Sequence, residues 1–280
     1  MRPIPTAFHL GPIELHTYGL GLAIAFYVAW RYLVARAKAH GYPTDWLPSM
    51  GIWVVVSALV GARLLHVLTH LSTYSAQPIQ ALEVWRGGLA SFGGLLFAVP
   101  TALWITHRKC PEVGVLEGLD IAVPALAAGW AIGRVLGPQL MVAGGGHRTT
   151  SWFGMYYAGQ VGRRVPVPLI QALEDGLLLV VLLVVERRLN RIAVEHPGQL
   201  APTGALTAIA MFIWGIARAL DERLWLGQDG HLGSILVQLA GVALAVGGLL
   251  IGIAVLRNWR NLAGSPAPPG IADPARLAGP

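Results

Sequence analysis

The sequence predicts an all-α, polytopic integral membrane protein with about seven transmembrane helices. Hydrophobic residues make up 55% of the 280-residue chain and charged residues only 12%, against roughly 25% charged in an average soluble domain. Mean hydropathy is +0.59. The apolar residues are also gathered into long runs, each near the roughly 20 residues that cross a hydrocarbon core of about 30 Å.

The runs fall near residues 17–36, 50–70, 88–106, 117–136, 168–186, 203–221 and 232–256. Prolines and Glu14 interrupt the stretch before the first run, and no small-residue cleavage site follows it. That run therefore reads as a retained span and not as a signal peptide. Arg31, Arg36 and Lys38 close the first run, Arg108 and Lys109 the third, Arg187, Arg188 and Arg191 the fifth, and Arg257 and Arg260 the seventh. All four clusters fall on one side of the membrane, which the positive-inside rule makes cytoplasmic. The N-terminus is then outside and the C-terminus cytoplasmic. Residues 1–261 are expected to form a single seven-helix membrane domain. Residues 262–280, rich in Pro, Gly and Ala, are expected to be a disordered cytoplasmic tail.

The net charge of +6 is spread over the ends of apolar runs and forms no basic tract, so no nucleic-acid partner is expected. Cys110 is the sole cysteine, which excludes a disulfide framework and a cysteine metal site. Nothing resembles a nucleotide P-loop, a metal-ligand cluster or a nucleophile elbow, so no cofactor or metal is expected. Inverted repeats of the transporter kind are also missing from the sequence. The 137–167 loop is the longest, and long loops are often functional. Within it, Gly144, Gly145 and Gly146 suggest either a flexible loop or an anion-binding backbone concavity.

The informative side chains are those that are costly at their depth: an Arg or Asp near the centre of a span costs about 2.5–3.5 kcal/mol on insertion scales. Arg63 and His66 sit near the outer end of the second run, and Arg134 ends the fourth. Glu174 and Asp175 lie early in the fifth; Arg218, Asp221 and Glu222 lie at the outer end of the sixth. By this topology Arg63, Arg134 and Arg218 could converge beneath the outer loops. Guanidiniums at headgroup depth suit a phospholipid phosphate, which their planar fork binds bidentately. Arg218 and Glu222, four residues apart, can also pair on one helical face. The bland readings stand beside these: a single Arg at a helix end is often a snorkelling anchor, Arg63 could serve a structural ion pair, and His16 and His66 could be satisfied polar groups. Trp85, Trp152 and Tyr156 read first as interfacial belt residues.

Several stretches, in order, resemble the bacterial prolipoprotein diacylglyceryl transferases. They are Leu15-His-Thr-Tyr-Gly-Leu20, Gly61-Ala-Arg-Leu-Leu-His-Val67, Val84-Trp-Arg-Gly-Gly-Leu-Ala-Ser-Phe-Gly-Gly-Leu95, Asp120-Ile-Ala-Val-Pro124 followed by Gly133-Arg134, and Gly215-Ile-Ala-Arg218 with Glu222. The resemblance runs over roughly residues 10–260. It implies a seven-span enzyme of the bacterial plasma membrane that moves the diacylglyceryl group of phosphatidylglycerol to the lipobox cysteine of prolipoproteins, whose signal peptides would be its protein partners. It further implies functional roles for Arg134 and Arg218, with Arg134 on the lipid headgroup, and matches the family's Tyr to Tyr18. Candidate catalytic residues are thus Arg134, Arg218 and Tyr18. Candidate substrate-binding residues are Arg134, Arg63, Arg218, Glu222, His16 and Arg148.

The chain departs from the family pattern at defined places. Phe92 stands where the pattern has His, Ser91 replaces the aromatic residue before it, and Arg86 reverses an acidic position. The pattern H-P-x-Q-L-Y-E lines up with Val165-Pro-Val-Pro-Leu-Ile-Gln171, which loses its His, Gln, Tyr and Glu. Two alternatives follow: a catalytically impaired relative that binds anionic lipid or prolipoprotein, and a transferase with a different acceptor or lipid donor.

Overall fold

The computed structural model describes residues 7–10, 13–76, 78–83, 90–137, 144–195, 202–226 and 232–263. Among these, the chain begins with an antiparallel pair, β1 (Ala7–Leu10) and β2 (Ile13–His16), in which Ala7 lies opposite His16. The helices α1 (Thr17–Ala39), α2 (Leu47–Thr69), α3 (Leu71–Ala76), α4 (Ser91–Lys109) and α5 (Val115–Leu136) follow. A second antiparallel pair, β3 (Met155–Tyr156) and β4 (Arg163–Arg164), precedes α6 (Val167–Glu195), α7 (Ala205–Asp221) and α8 (Leu232–Ala263). Seven long helices therefore stand where the sequence places seven apolar runs. The hairpins, α3 and a 3-10 turn at Pro78–Leu82 lie in segments that carry no strong periodicity.

Five helices, α1, α2, α5, α6 and α8, are long and apolar enough to cross a membrane. The other two differ for visible reasons. α7 has only 17 residues before it widens into a π-helical turn at Glu222–Leu226, and α4 carries Pro100 and ends on His107, Arg108 and Lys109. Large apolar side chains such as Phe26, Trp53, Leu96, Trp104, Leu239 and Leu250 point outward and are exposed. Apolar exposure on this scale would make a soluble protein aggregate, whereas in a bilayer it is the solvated face. α2 and α4 start without a side-chain cap, and α2 has a proline in its first turn. α7 starts at Gly204, whose φ of 94° favours glycine.

The chain divides into two compact units, Trp30–Ala122 and Met1–Ala29 with Val123–Pro280. In Trp30–Ala122 the core is Ala37, Leu47, Met50, Ile105 and Ile121. α2 and α4 meet backbone to backbone: a methyl on Gly61 would run into the carbonyl of Gly93, and one on Gly93 into the carbonyl of Gly61. Ala90 N–H also donates to Ala62 O at 3.0 Å. Small residues are what such a crossing requires. Gly93→Ala should therefore lower the detergent melting temperature by the amount that about 1–3 kcal/mol of overpacking implies. Gly114→Ala, at a position with open space around it, is the control; equal melting of the two would show that the crossing is loose.

Arg36 shows how this unit uses a cation grouped above with the topological charges. It is buried. Pro124 has no N–H to give the carbonyl of Asp120 one turn back, and Arg36 Nη2 donates there at 3.2 Å while its Nε donates to Ile121 O at 2.8 Å. Its role is structural, because a proline inside a helix leaves an acceptor that another donor must satisfy. In the following loop Tyr42 OH donates to Glu117 Oε1 at 2.5 Å. That bond pushes the phenol up to about 12, so the link between the loop and the first turn of α5 persists across the neutral range.

In the second unit, α1 and α5 approach closely through residues 21–29 and 129–136. Gly129 packs on Ala29 and Gly133 on Ala25, and a methyl on Gly21 would strike the carbonyl of Leu136. The small residues of α5 thus serve the close approach that its composition predicts. Leu178, Leu182, Leu206, Ala210 and Ala127 form the core. α7 and α8 cross at Gly215 and Gly241, where neither glycine has room for a methyl. α8 runs on to Ala263, and the rest of the tail expected at 262–280 lies outside the described residues.

A candidate lipid-phosphate site

Three helices of the second unit bring its charged side chains together. Arg134 sits in the last turn of α5. On α6, Gln171, Asp175, Leu178 and Leu182 are buried, whereas Leu173, Leu177, Val180 and Val184 are exposed. The 3.6-residue period therefore turns 171, 174, 175, 178 and 182 to one side. On α7, Trp214, Arg218 and Glu222 repeat at i,i+4, with Asp221 beside Glu222.

The contacts follow from this spacing. Arg218 Nη2 pairs with Glu222 Oε2 at 3.1 Å, as the sequence spacing predicts. Gln171 Nε2 donates to Asp221 Oδ2 at 2.7 Å, joining α6 to α7. Glu174, one turn further along α6, lies within electrostatic reach of the same Asp221 carboxyl. The Trp214 indole lies near Asp175. Trp214 stacks at 5.0 Å on Trp130, and each of these tryptophans lies one turn before an arginine. They form an apolar floor beneath the two cations, which raises the strength of any charge interaction above it.

Arg134 has Asp175, Arg218, Asp221 and Tyr18 within electrostatic reach. Its Nε is buried and has no hydrogen-bond partner among the described residues; the same holds for Arg218 Nη1 and Asp221 Oδ1. Buried N–H groups of guanidiniums are costly to leave unpaired. Two of them in one cluster make a natural cradle for an anion with several acceptor oxygens.

The segment above this cluster is ordered by pairing. Gly146 N–H donates to Val165 O, Val165 N–H to His147 O, and His147 N–H to Trp225 O just beyond Glu222. Gly145 N–H donates to Gln160 Oε1 at 2.8 Å. This corrects the two sequence readings of Gly145 and Gly146. Their N–H groups are occupied by protein acceptors, so they form no anion concavity, and they do not form a loose loop. A methyl on Gly145 would strike Arg164 and Tyr157, and one on Gly146 would strike the Trp225 carbonyl. Glycine is there for close packing.

The remaining candidates are placed as follows. Tyr18, second residue of α1, is part-exposed and lies beside Gly137, three residues past Arg134. Arg148 is exposed and its backbone bridges to Arg164. His16 is located only by its backbone at the end of β2, and the side chains of His16, Ser91 and Phe92 lie outside the described residues, as do residues 84–89. Arg63 belongs to the other unit and is described by itself. It is buried, donates through Nε to Ala81 O at 2.9 Å and through Nη2 to Gln80 O and, at 3.4 Å, to Glu83 O, and packs 5.2 Å over the Tyr74 ring. These contacts fasten the 78–83 segment to α2. His66 stacks on His70 at 4.3 Å.

The family pattern described as prolipoprotein diacylglyceryl transferase matches residues 5–257. The chain belongs to the prolipoprotein diacylglyceryl transferase family. Among curated relatives, the phosphatidylglycerol–prolipoprotein diacylglyceryl transferase of Hydrogenovibrio crunogenus is 30% identical over 269 residues, 92% of this chain and 95% of that protein. The protein of the same name from Pseudomonas putida is 29% identical over 88% of this chain and 91% of its own length. The one from Lysinibacillus sphaericus is 38% identical over 134 residues, 46% of this chain and 47% of that protein. In this transferase the Gly-x-x-Arg-x-x-x-Glu stretch becomes the Arg218–Glu222 pair, and Gly133-Arg134 ends the span that carries the second guanidinium. The site also contains Gln171 and Trp214, which the sequence reading did not select, and Asp221, which it noted only as a charge near the outer end of the sixth run. The signal for them was present: polar residues at 171, 174 and 175 recur at helical spacing on an otherwise apolar run.

Proposed function

We propose that this chain moves the diacylglyceryl group of phosphatidylglycerol to the thiol of a prolipoprotein's lipobox cysteine. A carbon–sulfur bond forms, the carbon–oxygen bond to phosphate breaks, and its electron pair stays on the departing glycerol phosphate. The thiol proton leaves the sulfur and is matched by the charge gained on phosphate. In this reading Arg134 and Arg218 hold the phosphate oxygens, where negative charge grows in the transition state. Glu222 holds Arg218 by one arm of its fork, and Tyr18 offers a hydroxyl beside Arg134. Arg148 and His16 serve the approach of the headgroup, whereas Arg63 fastens an outer segment. The chain spans a bacterial plasma membrane seven times as one domain, with the N-terminus outside and the C-terminus cytoplasmic, and the signal peptide of the acceptor enters from the bilayer.

The observation that carries this reading is the pair of buried guanidinium nitrogens on Arg134 and Arg218, in one cluster and without partners among the described residues. Complementation of a transferase-depleted bacterium, with mass spectrometry of a reporter lipoprotein, tests it. A diacylglyceryl adduct on the reporter cysteine is the expected result. Inserted protein with no adduct would favour the alternative that Phe92 suggests, a relative that binds lipid or prolipoprotein without transferring.

A further inference from the structure

The segment between α5 and α6 carries an uncompensated charge. No Asp or Glu occurs between residues 135 and 173, whereas Arg148, Arg163 and Arg164 all lie there. The backbone brings two of these arginines face to face. Arg148 bridges antiparallel to Arg164, so Arg164 has Met155 opposite on one side and Arg148 on the other. Thr149 N–H donates to Arg163 O at 2.9 Å and Val165 N–H to His147 O at 3.0 Å. Those bonds flank Arg148 and Arg164 and make them a non-hydrogen-bonded pair, the kind in which facing side chains come closest. Both side chains leave the same face, with Cβ atoms about 5 Å apart. Like charges directly opposite destabilise a strand pair, and an anion between them would reverse the sign of that interaction.

The adjacent arginine shows how a guanidinium is satisfied here. Arg163 Nε donates to Gly154 O at 3.1 Å and its Nη2 to Trp152 O at 2.7 Å, so backbone carbonyls fill its side-on edge. Arg164 differs. Its Nη1 reaches Gly146 O only at 3.4 Å, and its Nε is buried without a partner among the described residues. Arg148 is exposed. A phosphate seated between Arg148 and Arg164 would give that Nε an acceptor and offset the repulsion, and the planar fork suits phosphate oxygens.

The turns of the hairpin point to a lipid as the source of that phosphate. The two Arg163 bonds, with Ser151 N–H on Thr149 Oγ1 at 3.1 Å and Gly154 N–H on Ser151 O at 3.1 Å, hold a tight turn. Its tip is Trp152, 89% exposed. The turn between β3 and β4 carries Val161, 71% exposed. Apolar tips this bare are poorly solvated by water and well placed in a bilayer interface, where Trp is enriched. The hairpin also sits at the right depth. Its last strand runs on into α6, and His147 N–H donates to Trp225 O just beyond α7.

We propose that the 147–164 hairpin is a docking surface for anionic phospholipid headgroups, with a phosphodiester seat between Arg148 and Arg164 and with Trp152 and Val161 set into the interface. Two cations without a nearby acid favour a headgroup whose phosphate charge is not balanced by an amine of its own. The seat uses neither Arg134 nor Arg218, and its occupancy can be measured without turnover.

The test uses the full chain in neutral detergent and reads the hairpin alone. Cys110 is buried, so Val161→Cys supplies one accessible thiol for a polarity-sensitive fluorophore. Its emission should shift to the blue as phosphatidylglycerol is added, and not with phosphatidylcholine. The midpoint should rise about fivefold in Arg148→Gln and about 25-fold when Arg164→Gln is added, the worth of one and two cations near an anionic surface. Arg148→Gln should also raise the melting temperature in neutral detergent, because it removes a like-charge pair, and lose that gain once phosphatidylglycerol is present. A parental midpoint in the double variant overturns the proposal, as does an equal response to phosphatidylcholine. A shift with glycerol phosphate or a lipobox peptide, and none with the lipid, would make the seat one for soluble phosphate or for the acceptor, and lipid docking would be wrong. Should Arg164→Gln misfold, Arg148→Gln decides alone: an unchanged midpoint with unchanged melting overturns the docking.

Discussion

Arg134→Ala should insert and fold like the parent yet lose adduct formation by about 1,000-fold or more, the scale on which transition-state charge clamps act. The guanidinium lies in the last turn of α5 with Nε buried and without a partner among the described residues, so removing it takes no hydrogen bond from that nitrogen there. What it deletes is the donor set for phosphate oxygens, and that set matters more as the leaving phosphate gains charge. The loss should fall on turnover more than on the amount of inserted protein. Near-parental adduct yield from well-inserted Arg134→Ala would end the phosphate-clamp reading and leave Arg134 as an interfacial anchor.

Arg218→Lys should also fail, by about 100-fold, although it keeps the charge. Arg218 uses Nη2 on Glu222 at 3.1 Å and has Nη1 buried and without a partner among the described residues. The planar fork lets one side chain hold a carboxylate with one arm and present the other elsewhere. A lysine ammonium is a point charge and can satisfy Glu222 or a phosphate, with no fixed geometry for both. Measured as adduct per inserted protein, parental activity in Arg218→Lys would show that only the charge matters. Glu222→Gln should give a smaller loss, since it frees the fork without removing it.

The chemistry of the site was only partly legible in the sequence. Arg134 and Arg218 stood out because a permanent charge near the end of an apolar run is costly, and Glu222 because it follows Arg218 by one helical turn. Arg36 misled for the same reason: a cation at a run's end looks topological, and only the packing shows it serving the Asp120 carbonyl that Pro124 leaves without a donor. Arg63 likewise looks like a headgroup ligand, but backbone carbonyls of the 78–83 segment take its Nε and Nη2. Those carbonyls lie 17 to 20 residues away along the chain, and no local pattern announces which loop will fold back.

What the sequence by itself determined is the membrane class, the seven long helices and the family. Each of these follows from composition or from order along the chain: hydropathy, run length and short motifs survive without knowing what touches what. The tertiary structure decided which charges share a site. Gln171 and Asp221 are 50 residues apart and meet at 2.7 Å because the inward faces of α6 and α7 pack together through Leu178, Leu182, Leu206 and Ala210. That packing set the Gln171 amide against the Asp221 carboxyl, in a cluster that also holds two guanidiniums. A pairing across helices depends on which faces bury one another, and in this chain the burial around a few small and apolar side chains fixed it.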